Sequence, residues 1–199
     1  MTDWDQHYKS GGESGNPDDY ARAMAERWSL LTKHICFGID TVLDLGCGDL
    51  QFWDDYPLGS WYTGVDISDT IIGKNQKSYT LANFEICNIA EYRGASCDVV
   101  LCSDVLFHII DDDEYVRILQ NIARHTNRVA IIRTWDTNPL NTITSRLMRL
   151  KATGTFVFGE NTTDGYHQAY RRVEDFSQQA FEGFSLSRPA KNTYVFERR

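Results

Sequence analysis

At 199 residues, with 42% hydrophobic and 24% charged side chains, the chain is long enough to bury a sizeable core and suits one domain spanning 1–199. A net charge of −8 argues against a non-specific grip on nucleic acid, and no apolar run approaches the roughly 20 residues that cross a bilayer. The acidic opening Met1-Thr2-Asp3-Trp4-Asp5 lacks the charged-then-apolar pattern of a signal peptide, so a cytoplasmic protein is expected. Charge is unevenly placed: residues 1–125 carry 21 acidic and 9 basic side chains, residues 126–199 carry 7 and 11. The five cysteines (Cys36, Cys47, Cys87, Cys97, Cys102) are odd in number and form no C-x-x-C pair, so they read as free, mostly buried thiols. No His pair or thiol quartet stands at ligand spacing, and no metal is expected.

Taken in order, Trp4 to Gly15 is aromatic and then glycine-rich, and Gly11, Gly12 and Gly15 speak against a helix through it. It reads as a mobile arm over 1–16, or as a disordered terminus. Asp18 or Asp19 caps a helix from about Tyr20 to Ile35, with Ala21, Met24, Trp28, Leu31 and Ile35 on one face. Val42, Leu43 and Leu45 make a buried parallel strand. Leu50 to Tyr56 reads as a short helix stopped by Pro57. Trp61 to Asp66 is a second strand, Ser68 caps a helix to about Ser78, and Asn83 to Cys87 alternates as a third strand ending at Asn88. Cys97 to Cys102 is a fourth strand. Asp111 to Glu114 opens a helix with Tyr115, Ile118, Leu119 and Ile122 on its inner face, and Arg128 to Ile132 is a fifth strand. Strands alternating with helices predict a parallel, doubly wound sheet. Residues 134–165, rich in Thr, Asn, Gly and Pro, read as a cap insertion beside the strand ends. Phe176 to Phe181 reads as a helix, and Phe184 to Leu186 with Thr193 to Phe196 closes the chain as a hairpin.

The chemistry is concentrated where the first strand ends. Gly46 and Gly48 follow Leu45 at once, and two glycines in a strand-to-helix turn let a ligand approach without meeting a Cβ. Asp66 stands at the end of the second strand, placed to accept hydrogen bonds from a ribose. The third glycine of a dinucleotide fingerprint is missing, because Gln51 occupies its place, and Asp44 and Asp49 flank the turn with charge that repels a pyrophosphate. No Lys followed by Ser or Thr is present to cradle phosphates. An acid-rich, phosphate-free turn suits a cationic ligand with a ribose.

Val42-Leu43-Asp44-Leu45-Gly46-Cys47-Gly48 resembles the first motif of the class I S-adenosylmethionine-dependent methyltransferases, and Asp66 matches that family's ribose-binding acid. The resemblance implies a Rossmann-like, mostly parallel seven-stranded α/β sheet ending in an antiparallel hairpin. It also implies S-adenosylmethionine as cofactor, with S-adenosylhomocysteine as product. On this reading Asp44, Gly46, Cys47 and Gly48 form the cofactor turn, and Ile67 packs on adenine. Asn88, with Ile89 beside it, stands where the family usually has an acid, its carbonyl able to accept the same bond from the adenine amine. Ser103 lies at the cofactor edge, and Trp4 and Tyr8 are lid residues that fold over the cofactor.

His108 is the first candidate base, with Asp104 able to orient it if 104–108 turns as a helix; a structural histidine is the alternative. His167 is a second candidate, with Tyr166, Tyr170, Arg171 and Arg172 nearby in sequence; Arg171 or Arg172 can hold a carboxylate or phosphate bidentately. The expected activity is methyl transfer to an oxygen or nitrogen of a small molecule, which the basic part allows to carry an anionic group. The rivals are an RNA or protein methyltransferase, a nicotinamide-dependent oxidoreductase, and a non-catalytic cofactor-binding module. Oligomeric state is not legible.

Overall fold

The computed structural model describes residues 3–14, 28–53, 56–137 and 168–199. Seven strands form one sheet: β1 (Val42–Leu45), β2 (Tyr62–Asp66), β3 (Asn83–Ile86), β4 (Cys97–Ser103), β5 (Thr126–Arg133), β6 (Phe184–Ala190) and β7 (Thr193–Arg198), in the order β3-β2-β1-β4-β5-β7-β6. β1 to β5 are parallel, and β7 runs antiparallel between β5 and β6. The chain order reverses at β1, where Val42 lies opposite Tyr62 on one side and Val99 on the other. In such sheets the ligand crevice opens beyond the carboxyl ends of the strands at this switch point.

Alternation along the strands sorts side chains to two faces. Leu43, Leu45, Val65, Val100, Cys102, Ala130, Ile132, Tyr194 and Phe196 pack on one face, under α4 (Asp112–His125) and α5 (Val173–Ser177). Val42, Tyr62, Val99, Leu101, Val129, Ile131 and Val195 pack on the other, against α2 (28–34) and an aromatic cluster of Trp28, Phe37, Phe52, Trp53 and Tyr56. All four residues of β1 are buried, as the near-continuous apolar run predicts. α3 (Asp69–Ser78) starts at Ser68, whose hydroxyl accepts from the Ile71 N–H at 3.3 Å. α4 starts at Asp111, whose carboxylate accepts from the Glu114 N–H at 2.7 Å, and it buries Tyr115, Ile118, Leu119 and Ile122 fully, the aliphatic ones stabilising by about 1.5–3 kcal/mol each.

Three elements differ from the sequence expectation. Trp4–Lys9 is a helix, α1, because the glycines follow it rather than interrupt it: Gly11 takes φ +85° just past its end and the Gly12 N–H bonds the His7 carbonyl. Of the helix expected over Leu50–Tyr56, the described residues form a 3-10 turn, Gln51–Trp53, because Leu50 sits at φ +60° and breaks the entry. Of the helix expected from Tyr20, residues 28–34 are described, and Ile35 lies past its end. The helix expected at Phe176–Phe181 is instead α5, which stops at Ser177. Phe176 packs on Tyr115 from that helix, while Phe181 leaves it to stack on Phe196 at 3.9 Å. The cap expected over 134–165 lies outside the described residues beyond Asp136 and Thr137, as do Tyr166 and His167. No helix among the described residues is long and apolar enough to cross a membrane.

Candidate active site

The glycine turn folds back on β2. The N–H groups of Gly46 and Cys47 both donate to the Val65 carbonyl, at 2.7 and 3.0 Å. Gly46 takes φ +80°, and a Cβ there would stand 2.2 Å from Val105 Cγ2; Gly48 takes φ +55°, and a Cβ there would stand 2.6 Å from Ser14 Oγ. Both the conformation and the space therefore require glycine. Asp66 ends β2, and its carboxylate accepts from the Gly48 N–H at 3.1 Å and the Ser68 N–H at 3.0 Å. Burial pushes the Asp66 carboxyl up from its ordinary value, and those two N–H groups pull it partway back. Ile67 follows at 49% exposure, an apolar surface beside the acid.

Asp44 lies one turn deeper, inside β1. Its Oδ2 accepts from Trp53 Nε1 at 2.9 Å and from the Tyr62 hydroxyl at 2.8 Å, so the carboxylate is braced from the aromatic face of the sheet. Cys47 packs inside the same turn, and burial, with Asp44 and Asp66 nearby, holds its thiol well above the usual range. That makes it a packing group rather than a nucleophile. Asn88 closes an Asx turn, its Oδ1 accepting from the Ala90 N–H at 2.9 Å, and Ile89 is buried with its carbonyl held by Asn121 Nδ2 at 2.7 Å.

The arm lies across this edge. Asp5 accepts from the Ser68 hydroxyl and the Thr70 N–H, both at 2.9 Å, and pairs with Lys9 at 2.5 Å. The Lys9 bond first, and then the Thr70 N–H, hold the Asp5 carboxyl well below the usual carboxylate range. Tyr8 is buried, its hydroxyl 2.8 Å from Ser14 Oγ, and the Ser14 N–H donates to Asp49 at 2.7 Å. Trp4 meets the His108 ring edge-on at 4.8 Å between centroids. Asp5 and Ser14 are contributions that the sequence reading missed, as is the hold on the arm by Asp49, which was read only as a charge beside the turn. No local pattern marks them, because their partners lie 35 to 65 residues away.

The Asp104–His108 pair does not form as expected. Asp104 takes φ +60° after β4, and Leu106–His108 is a 3-10 turn, so the two residues do not share a helical face. Arg133, at the end of β5, instead donates to both Asp104 carboxylate oxygens, beside Ser103 at the β4 end. Arg171 also departs from expectation. Its guanidinium donates to Asp112 at 2.7 Å and to the carbonyls of Ile109, at 2.6 Å, and Ile110, and it lies 5.0 Å over the Tyr115 ring. The fork expected to hold a substrate anion is thus spent on fastening the loop before α4. Tyr170 is buried and donates to Gln168 at 2.7 Å.

These residues fit a ribose-bearing cation. Two glycines clear a cradle, one carboxylate waits at the neighbouring strand end with an apolar side chain beside it, and no Lys or Arg occurs between Gly46 and Gln51. The sheet order and this turn are those of the class I S-adenosylmethionine-dependent methyltransferase fold. Residues 43–132 match the family model described as a methyltransferase domain, the stretch that runs from β1 into β5. That stretch is similar to a methyltransferase domain, and it carries the glycine turn and Asp66. No curated protein matches by sequence. Among solved structures, the magnesium protoporphyrin IX methyltransferase of Synechocystis, with S-adenosylhomocysteine bound, is 21% identical, with 89% of this chain and 83% of that one covered at a TM-score of 0.60. The N-methyltransferase NodS of Bradyrhizobium japonicum, also with S-adenosylhomocysteine, is 13% identical, with 99% of each chain covered and a TM-score of 0.64. A sugar N-methyltransferase of Streptoalloteichus is 16% identical, with 100% and 93% covered and a TM-score of 0.62. At such identities the likeness is one of fold.

Proposed function

We propose that this chain is an S-adenosylmethionine-dependent methyltransferase that methylates an oxygen or nitrogen of a small-molecule acceptor. The observation that carries the reading is the arm. Tyr8 and Ser14 close on Gly48 while Trp4 abuts His108, so the cofactor edge is covered by the chain's own first residues. A roofed site of this kind suits an acceptor that enters whole and is then enclosed, with the arm opening as a lid between turnovers. The solved relatives support it, since those named act on a porphyrin, a sugar and, for NodS, a nitrogen acceptor. An anionic handle on the substrate is less well supported, because Arg171 is already engaged.

When bound, the cofactor supplies a methyl group activated by a sulfonium. Asp66 would hold the ribose, Ile67 and Asn88 would meet the adenine, and Gly46 and Gly48 would admit the methionine part. Closing the arm excludes water, which orients the reactants and strengthens every charge interaction inside. His108 stands at the covered edge and takes the proton from an acceptor that must lose one. The test is turnover with methyl-labelled S-adenosylmethionine, offered separately to a panel of small alcohols and amines, to RNA and to protein. Label is expected in the small-molecule fraction, and His108→Asn should lower kcat by about 10²–10⁴-fold while flattening the acidic limb of the pH profile. Label appearing only in RNA or protein would replace this reading.

A further inference from the structure

The turn between β4 and His108 starts from a residue in an uncommon conformation. Asp104 takes φ +60°, in the left-handed region that Asp enters more readily than most side chains but that still needs support from its surroundings. Arg133 supplies that support twice. Its carbonyl accepts from the Asp104 N–H at 2.8 Å, and one guanidinium nitrogen, Nη1, donates to both carboxylate oxygens of Asp104. Ser103 and Arg133 are register partners at the ends of β4 and β5, so the grip is anchored in the sheet. Both side chains are partly buried, Arg133 at 24% exposure and Asp104 at 27%.

Where the next residues fall depends on how Asp104 directs the chain. Val105 lands against the glycine turn, its Cγ2 2.2 Å from where a Cβ on Gly46 would stand, and Leu106 is fully buried. The Val105 carbonyl accepts from the His108 N–H at 2.9 Å, and the Phe107 carbonyl accepts from the Ala169 N–H at 2.7 Å. His108 ends the turn with Nδ1 buried and its ring edge-on to Trp4 at 4.8 Å. An ordinary helical φ of about −60° at Asp104 would rotate the chain there through about 120°. Val105 would then leave Gly46, and His108 would leave Trp4.

We propose that Asp104 and Arg133 are positioning residues: their pairing holds the left-handed turn that sets His108 at the cofactor edge. The proposal deepens the reading of His108 as the base and rests on it. The action runs along the backbone, from the end of β5 through Asp104 to the imidazole. The competing view is that the pair only fastens the end of β4 to that of β5. That view expects loss of the pair to lower stability and to leave His108 where it is.

The experiment is NMR of the full chain with labelled histidine and tryptophan rings, in the wild type, Arg133→Met, Asp104→Gly and Arg133→Lys. Rings 4.8 Å apart should give a cross-peak between His108 and Trp4 protons. It should weaken severalfold in Arg133→Met and in Asp104→Gly, where glycine keeps the left-handed φ within reach but offers no carboxylate to grip. Amide protection over residues 4–9 should be kept, which shows the arm still docked. Arg133→Lys should restore most of the cross-peak, because an ammonium can replace the single nitrogen used. In turnover with labelled S-adenosylmethionine, kcat should fall about 10–100-fold in Arg133→Met, with KM for the cofactor little changed, since small misplacements of reacting groups are costly. A cross-peak absent from the wild type or undiminished in both variants, or a kcat unaltered in them, overturns the proposal. A kcat unaltered by His108→Asn would instead overturn the reading beneath it.

Discussion

A carboxylate at a strand end with two main-chain N–H groups aimed at it is costly to bury and hard to replace. Asp66 is that residue, and it was legible because β2 reads cleanly as a strand and ends on it. Asp66→Asn removes the charge from its bonds, and hydrogen bonds to charged groups contribute about 1.5–3 kcal/mol, so affinity for S-adenosylmethionine should fall roughly 10–100-fold in calorimetry. The pH dependence has a definite sign. Burial raises the folded-state pKa of Asp66 above its unfolded value, so the native state takes up the proton first as pH falls. Cofactor affinity should therefore decline as pH drops from neutrality through that raised value. The stability of the unliganded chain should gain a little over the same window, as the burial penalty on the charged form is relieved. Arg171 marks the limit of reading residues from sequence. A run of Arg beside Tyr looks like an anion site, yet the carbonyls of Ile109 and Ile110 and the carboxylate of Asp112 that absorb it lie about 60 residues away and form no motif.

At the scale of elements, most strands and both long helices follow from periodicity and caps, while α1 does not. Its glycines bar a helix only where they stand, and Asp3 caps α1 before them by accepting from the Gln6 N–H at 2.9 Å. Its docking depends on Asp5, which reaches the start of α3. Asp5→Ala should free the arm: amide protection over residues 4–9 is expected to vanish in hydrogen exchange, while that of β1 and β4 is kept. Cofactor affinity should weaken severalfold with it. Because the Asp5 carboxyl is held below its ordinary value, its contribution is present above about pH 4 and is lost only as pH falls through the depressed value, so arm docking should survive mild acid. α5 was misplaced for a related reason. Phe181 is buried and Phe176 partly buried, but the five-residue spacing serves a helix and the turn after it rather than one helical face.

For the molecule as a whole, the alternation that sends Leu43 and Leu45 to one face and Val42 to the other builds two cores, and the site opens where the strand order reverses. Leu119, fully buried under the first face, tests that packing: Leu119→Ala should cost about 2–5 kcal/mol in urea unfolding, with affinity for the cofactor kept in the surviving native fraction. The parallel, doubly wound class of the sheet was legible because its strands alternate with helices, a pattern with few permitted topologies. The docking of the arm and the grip of Arg133 on Asp104 were not, since each joins segments far apart in the chain. The account as a whole turns on the glycine bend accepting a sulfonium nucleoside rather than a pyrophosphate. Calorimetry of the full chain with S-adenosylmethionine, S-adenosylhomocysteine and NAD tests it most directly. Saturable binding of the first two, lost in Asp66→Ala, with no heat from NAD is the predicted result; tight binding of NAD with none of the other two would contradict it.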